Sequence, residues 1–188
     1  MNHTHTFFHT AGYLQKILFC LLLLFGLTDM QAQNQPYKLG AGLRMGYPMA
    51  VSVKTFLGSS AHAVEGTIGT RGFGLNRIRW TAITGGYLVH RDADQVLETL
   101  NVTDVGHLSY YFGAGASAMI WSYNNPIDRD RYGSTSFGIQ GYLGLEFRIN
   151  DLPLAIGTDW VPSLFLGNSY LGGLGLGYGT LAIRYVIK

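Results

Sequence analysis

Hydrophobic and polar residues alternate along the stretch Thr135 to Asn150, which reads TSFGIQGYLGLEFRIN. Its odd positions carry apolar side chains such as Leu143 and Leu145, whereas its even positions carry glycine and polar residues such as Gln140 and Glu146. Because alternate side chains of a strand point to opposite faces, the pattern predicts a strand with one apolar and one polar face. The stretch exceeds an ordinary strand and is about long enough for a tilted path through a bilayer.

The same alternation recurs in seven further segments, which turn signals separate. These predicted strands are Lys38–Tyr47, Val51–Leu57, Ala63–Arg71, Ile78–His90, His107–Trp121, Leu154–Leu166 and Leu174–Ile187. The longest connection, Arg91 to Asp104, contains a predicted helical turn at Val96 to Leu100. Strands at this spacing are typical of a barrel or a sandwich. An even number of strands brings both chain termini to the same side of a barrel, as in bacterial single-chain membrane barrels.

The first 33 residues have the pattern of a secretory signal peptide. Lys16 precedes the apolar core Ile17 to Leu27, which is shorter than the roughly 20 residues that a membrane-spanning helix needs. Ala32 is a suitable cleavage point, and Cys20, the single cysteine, lies within this segment. We therefore predict a cleaved signal peptide over 1–33 and one barrel domain over 34–188, without disulfides or thiolate metal sites.

Composition favours strands in lipid over a solvated surface. Charged residues make up 13% of the chain, about half of the usual share near 25%. Hydrophobic residues, at 47%, are ordinary in number, while glycine (26) and tyrosine (12) are abundant. The formal charge of +2 is too small to indicate a nucleic-acid partner.

The polar faces of the predicted strands carry charges of both signs, and a narrow barrel lumen lets such groups pair. We therefore predict a lumen charge network of Arg44, Lys54, Glu65, Arg71, Arg77, Arg79, Glu146, Arg148, Asp159 and Arg184. On the strand Ile78–His90, this places Arg77, Arg79, Thr81 and Tyr87 inside, and Ile78, Trp80, Ala82 and Leu88 toward lipid. Interfacial aromatic girdles are predicted at Tyr47, Trp80, Tyr110, Trp121, Trp160 and Tyr185. The alternative is a soluble barrel or sandwich with its apolar face inside.

The order of segments resembles the small eight-stranded outer-membrane barrels of Gram-negative bacteria, the OmpA-like and OmpX-like porin-fold proteins. The resemblance covers nearly all of the predicted mature chain. It is carried by GLRMGYPMAVSVKTFL (42–57), AVEGTIGTRGF (63–73), SYYFGAGASAMIW (109–121), GIQGYLGLEFRINDLPLAIGTDWVPSLFL (138–166) and GTLAIRYVIK (179–188). The last stretch is similar to the terminal signal read by the barrel-assembly machinery, but it ends on Lys188 instead of an aromatic residue. The resemblance implies a transmembrane barrel in the outer membrane, with lipids as partners.

Three functions are compatible with such a barrel. The first is a monomeric structural or surface-interaction protein whose lumen is filled by its own side chains. The second is a narrow channel for ions or small solutes. The third is a lipid A hydrolase built on His107 and Ser109, which share a strand face but lack an acid about a dozen residues on, where Met119 to Trp121 stand. We predict the first, with no catalytic, cofactor or metal residues.

Overall fold

The computed structural model describes residues 37–46, 48–58, 61–71, 78–102, 105–123, 135–166 and 173–187. The predicted signal segment lies outside these residues. The described part of the chain forms eight strands and one short helix. They are β1 (Leu39–Met45), β2 (Met49–Phe56), β3 (His62–Arg71), β4 (Ile78–Asp92), α1 (Asp94–Thr99), β5 (Gly106–Tyr123), β6 (Thr135–Ile149), β7 (Leu154–Leu166) and β8 (Gly173–Ile187).

Every strand pairs antiparallel with the next one in the chain, and β1 pairs with β8 to close the barrel. This confirms the predicted all-β, up-and-down barrel of about eight strands. Leu39 lies opposite Ile187, so the first and last strands meet at one end, which we call the terminus end. The opposite end is called the far end. Closure leaves no unpaired sheet edge, which an isolated sheet would expose.

The predicted strand bounds agree with the structure to within a few residues. Strand lengths range from 7 residues in β1 to 18 in β5. The helical turn predicted at Val96 to Leu100 is the 6-residue helix α1. No helix in the described ranges has the length and apolar character needed to cross a membrane.

The apolar rows of the strands face outward and the polar rows face the lumen. In β6, Leu143 is 55% exposed whereas Glu146 is 2% exposed. In β8, Ile183 is 40% exposed whereas Arg184 is completely buried. The prediction that oily side chains point away from the barrel axis is therefore confirmed for these strands.

Strand β4 has the opposite orientation to the one predicted. Trp80, Ala82 and Leu88 face the lumen and are buried, while Ile83 and Tyr87 are exposed on the outer wall. Both rows of β4 contain apolar residues, so alternation alone did not identify the lumen row. Pairing settles it, because residues directly opposite share a face, and Trp80 lies opposite the buried Trp121 of β5.

The girdle prediction is therefore wrong for Trp80 and Trp121. The rings of Trp80 and Trp121 lie inside the barrel with their centroids 5.9 Å apart. Tyr110, Trp160 and Tyr185 are exposed on the outer wall, in agreement with the prediction. Tyr47 lies outside the described residues.

Apolar side chains pack inside the barrel toward both of its ends. The cluster at the far end consists of Trp80, Ala82, Met119, Trp121 and Phe165. A second cluster extends from the middle to the terminus end and contains Tyr37, Phe56, Ala63, Leu88, Tyr111, Tyr142, Ala155, Val161 and Val186. The buried charges of the lumen contact this second cluster.

Candidate functional site

Six of the ten predicted lumen charges form a connected cluster inside the barrel. Each lies in the inward row of a different strand, and none is more than 6% exposed. They are Arg44 (β1), Lys54 (β2), Glu65 (β3), Glu146 (β6), Asp159 (β7) and Arg184 (β8). The three cations and three carboxylates balance, so the cluster as a whole carries no net charge when all six are ionised.

Arg184 is the most highly connected member of the cluster. Its Nη1 donates to Oε2 of Glu146 over 3.0 Å, and its Nη2 donates to Oε1 of Glu65. Its Nε donates to Oγ of Ser52 over 2.9 Å. The planar fork of arginine suits this position because it directs several donors at different partners at once. One side chain of the last strand thereby connects β8 to β2, β3 and β6.

Arg44 makes a second set of ion pairs, which overlaps with the first at Glu65. Its Nη1 donates to Oε1 of Glu65 over 2.8 Å, and its Nη2 donates to Oδ2 of Asp159. Asp159 also accepts hydrogen bonds from the hydroxyls of Tyr111 (2.6 Å) and Thr180. The buried carboxylate thus has several donors, which buried charges need to offset lost hydration.

Lys54 and Tyr37 also donate hydrogen bonds to the Glu146 carboxylate. Lys54 Nζ donates to Oε2 of Glu146 over 2.8 Å and lies 4.6 Å from the centre of the Tyr111 ring. The hydroxyl of Tyr37 donates to Oε1 of Glu146 over 3.0 Å, and its ring packs edge-on against Phe56. Tyr37 precedes β1, and burial, reinforced by the Glu146 carboxylate, raises the pKa of its phenol well above the ordinary value. The phenol is therefore held in its neutral, donating form.

Of the other four predicted lumen charges, Arg79 and Arg148 have side chains that the structure describes. The prediction is wrong for Arg79, because its side chain is exposed and lies in the outward row of β4, next to the buried Trp80. Arg148 lies in the inward row of β6 near the terminus end and is half-buried. Arg71 is the last residue of β3, with a side chain outside the described part, and Arg77 lies outside the described residues altogether.

Several polar partners of the cluster are absent from the predicted lumen network. Ser52 and Thr180 lie in the inward rows of their strands, where alternation does assign them to the lumen. Alternation assigns Tyr111 to the same row of β5 as His107 and Ser109, but nothing in the sequence links it to Asp159, 48 positions away. Tyr37 lies outside any strand, so periodicity carries no signal for its position in the lumen.

His107 and Ser109, the pair considered for a hydrolase, take part in separate sets of hydrogen bonds. His107 Nδ1 lies 2.8 Å from Oδ2 of Asp94, a carboxylate supplied by α1 and not by the region after Ser109. The Ser109 hydroxyl contacts Nδ1 of the buried His90 at 3.3 Å and donates to the Glu146 carbonyl at 3.4 Å. Asp94 therefore contacts His107, whereas His90 and the Glu146 carbonyl contact Ser109.

The cluster has the chemistry of a structural element. Its three cations pair with its three carboxylates, and aromatic and aliphatic side chains pack on both sides along the barrel axis. Across the described ranges, no group of three or more His, Cys, Asp or Glu residues is positioned to hold a metal ion.

No family model matches this chain, and no curated protein or solved structure matches it either.

Proposed function

We infer that this chain is an integral β-barrel protein of the bacterial outer membrane, with a lumen filled by its own side chains and a structural or surface-interaction role. The observation that carries the proposal is the inverted distribution of polarity. Leu143 and Leu145 are 55% and 47% exposed on the outer wall, whereas the adjacent Glu146 is 2% exposed inside the barrel. A water-soluble barrel would bury the first two and expose the third.

The apolar surface extends around the whole barrel. Every strand contributes large exposed apolar side chains to the outer wall, including Leu43, Val51, Ile68, Ile83, Ile120, Leu143, Leu164 and Ile183. Soluble monomers rarely expose contiguous apolar patches above a few hundred Å². An apolar outer wall of this extent is suited to contact with the acyl chains of lipids. A closed sheet also pairs its backbone groups internally, which a hydrocarbon environment demands.

The buried charge cluster favours a filled barrel over a channel. An ion on the barrel axis would have to displace Arg184, Glu65 or Glu146 from the contacts that join them. Barrels of about eight strands are generally just wide enough for their own side chains. The lumen therefore supports a stabilising role.

The location and partners follow from the same proposal. The fold is consistent with the small outer-membrane barrels that the sequence resembles, and their outer-membrane location, lipid partners and assembly by the barrel-assembly machinery are proposed for this chain by that resemblance. We propose a monomer, because a closed eight-stranded barrel has no sheet edge to share.

Membrane fractionation combined with heat-modifiable gel migration tests the proposal. The chain should separate with the outer membrane, resist extraction by alkaline carbonate, and migrate faster on a gel when left unheated, because the folded barrel is compact. A soluble periplasmic fraction with no heat-dependent shift would contradict it. Planar-bilayer recordings on the same material separate the alternatives, since steady conductance would favour the channel and its absence the filled barrel.

A further inference from the structure

We propose that helix α1 and the apolar residues beside it form an anchor that lies in the headgroup boundary of the bilayer at the terminus end. This rests on the proposed membrane location and adds a lipid-binding surface outside the barrel wall. Five large apolar side chains in this region are between 40% and 64% exposed: Val96, Leu100, Val102, Val105 and Leu152. They lie beyond the strand ends, where the wall itself does not account for them.

Helix α1 has an apolar flank and an acidic flank. Leu97 is its buried residue and faces the barrel. With about 3.6 residues per turn, Val96 and Leu100 lie on one side of Leu97, while Asp94 and Glu98 lie on the other. Viewed from the barrel, one side of the helix is therefore apolar and the other side is acidic.

Contacts of Asp94 determine which flank faces the barrel axis. Its carboxylate bonds Nδ1 of His107 at 2.8 Å and accepts the backbone N–H of Leu108 at 2.7 Å. His107 belongs to the inward row of β5, which continues to the buried Tyr111. The acidic flank consequently faces the mouth of the barrel, and the flank of Val96 and Leu100 faces away from the axis, as the lipid-facing wall does.

Backbone bonds hold the other apolar residues beside this flank. Asn101, with φ 53°, ends the helix in a left-handed conformation, and Val102 N–H donates to the Leu97 carbonyl at 2.9 Å. This is a Schellman-type end, which folds the chain back onto the last turn. Asn150 N–H donates to the Val105 carbonyl at 3.1 Å, which ties the turn that bears Leu152 to the same region.

A lipid surface fits these residues better than an aqueous one, because the flank of Val96 and Leu100 faces away from the barrel axis, as does the exposed Tyr110 in the outward row of β5. Residues 92–106 contain Asp92, Asp94, Glu98 and Asp104 but no Lys or Arg. Attachment to anionic headgroups would need basic residues, so the interaction here depends on burying apolar surface. The expected ligand is thus the boundary of a zwitterionic or weakly charged leaflet.

Site-directed fluorescence tests the anchor. Three single-cysteine variants are made in the full chain with Cys20→Ser: Leu100→Cys, Gln95→Cys and Leu143→Cys. Each variant is labelled at its cysteine with a polarity-sensitive fluorophore and folded into phosphatidylcholine vesicles. Gln95 is the matched control because it is exposed on the side of α1 that faces away from Leu97. Leu143 reports insertion of the wall, and heat-modifiable migration of each variant confirms folding.

Lipid-borne quenchers should act about twofold or more strongly on the Leu100 label than on the Gln95 label, and aqueous iodide should show the reverse order. Equal iodide quenching at Leu100 and Gln95, with lipid quenching at Leu143, would overturn the anchor and leave the membrane proposal intact. Protection of Leu100 from both quenchers would indicate a protein contact and also overturn it. Absence of lipid quenching at Leu143 would reject the membrane location itself.

Discussion

Arg184 donates from Nη1 to Oε2 of Glu146 over 3.0 Å, although β7 separates their two strands in the barrel wall. The contact therefore crosses the lumen instead of following the sheet. The bonds of Arg184 to Glu65 and Ser52 connect the last strand to β3 and β2, which lie beyond the β1–β8 closure. Side chains in the lumen thus reinforce the seam at which the sheet closes.

Arg184→Met should destabilise the folded barrel strongly. It would leave Glu146 and Glu65 buried with fewer cationic partners, and removal of one partner from a buried ion pair costs about 3 to 5 kcal/mol. The urea midpoint of unfolding, followed by heat-modifiable migration in lipid vesicles, measures the effect. Arg79→Met is the matched control, since Arg79 is exposed, and it should leave the midpoint nearly unchanged. Equal effects of the two variants would argue against a stabilising cluster.

Lys54 and Glu146 should show energetic coupling. Lys54→Met and Glu146→Gln each remove one partner of the 2.8 Å ion pair. The double variant should lose less free energy of unfolding than the sum of the single variants, by about 0.5 to 3 kcal/mol, because each single change strands its partner. A double-mutant cycle of urea unfolding gives this value. Strict additivity would mean that Lys54 and Glu146 do not interact in the folded barrel.

Leu143→Arg should distinguish a lipid-facing wall from a solvated one. Leu143 is 55% exposed, so in water the change would be tolerated or would improve solubility. Near the centre of a bilayer, an arginine on the outer wall costs about 2 to 4 kcal/mol. Folding yield and urea stability in vesicles provide the measurement, with Leu143→Ala as the control for lost side-chain volume. Unchanged stability would be incompatible with the proposed orientation.

Gly144→Ala should destabilise the barrel by crowding its lumen. A Cβ there would lie 2.6 Å from the Tyr111 ring, from the Asp159 side chain and from the Thr158 carbonyl. Gly85→Ala is the matched control, because no atom lies within 4 Å of the added Cβ. Only the first variant should lower the urea midpoint, since overpacking a filled interior costs about 1 to 3 kcal/mol. Similar midpoints would indicate that the lumen has unfilled space beside Gly144.

Tyr37→Phe should reduce the loss of stability at alkaline pH. The pKa of Tyr37 is raised in the folded state, mainly by burial, so ionisation is easier in the unfolded chain. Its contribution is therefore complete below about pH 10, the ordinary pKa of tyrosine, and declines as the pH rises toward the folded pKa. Urea midpoints across this range, compared between the two proteins, test the sign. A parallel decline in both would exclude Tyr37 as the source.

Much of the fold was predictable because each strand alternates in its own sequence. Leu143 and Glu146 occupy opposite rows of β6 whatever their neighbours are, and the same holds for Ile183 and Arg184 in β8. Strand β4 was placed with the wrong face inward because both of its rows are partly apolar. Its position was decided by pairing with β5, which sets Trp80 opposite Trp121.

The sequence by itself determined the number of strands, the rows into which most side chains fall, and the candidate charges that avoid the apolar face. These properties are local, since a period of two residues follows from strand geometry alone. Only the tertiary structure decided that Arg184 meets Glu65, 119 positions away, that Tyr37 reaches Glu146, and that Arg79 lies outside. Closure of the sheet brings distant inward rows together within a narrow lumen, and no local pattern specifies which of their atoms come within bonding distance.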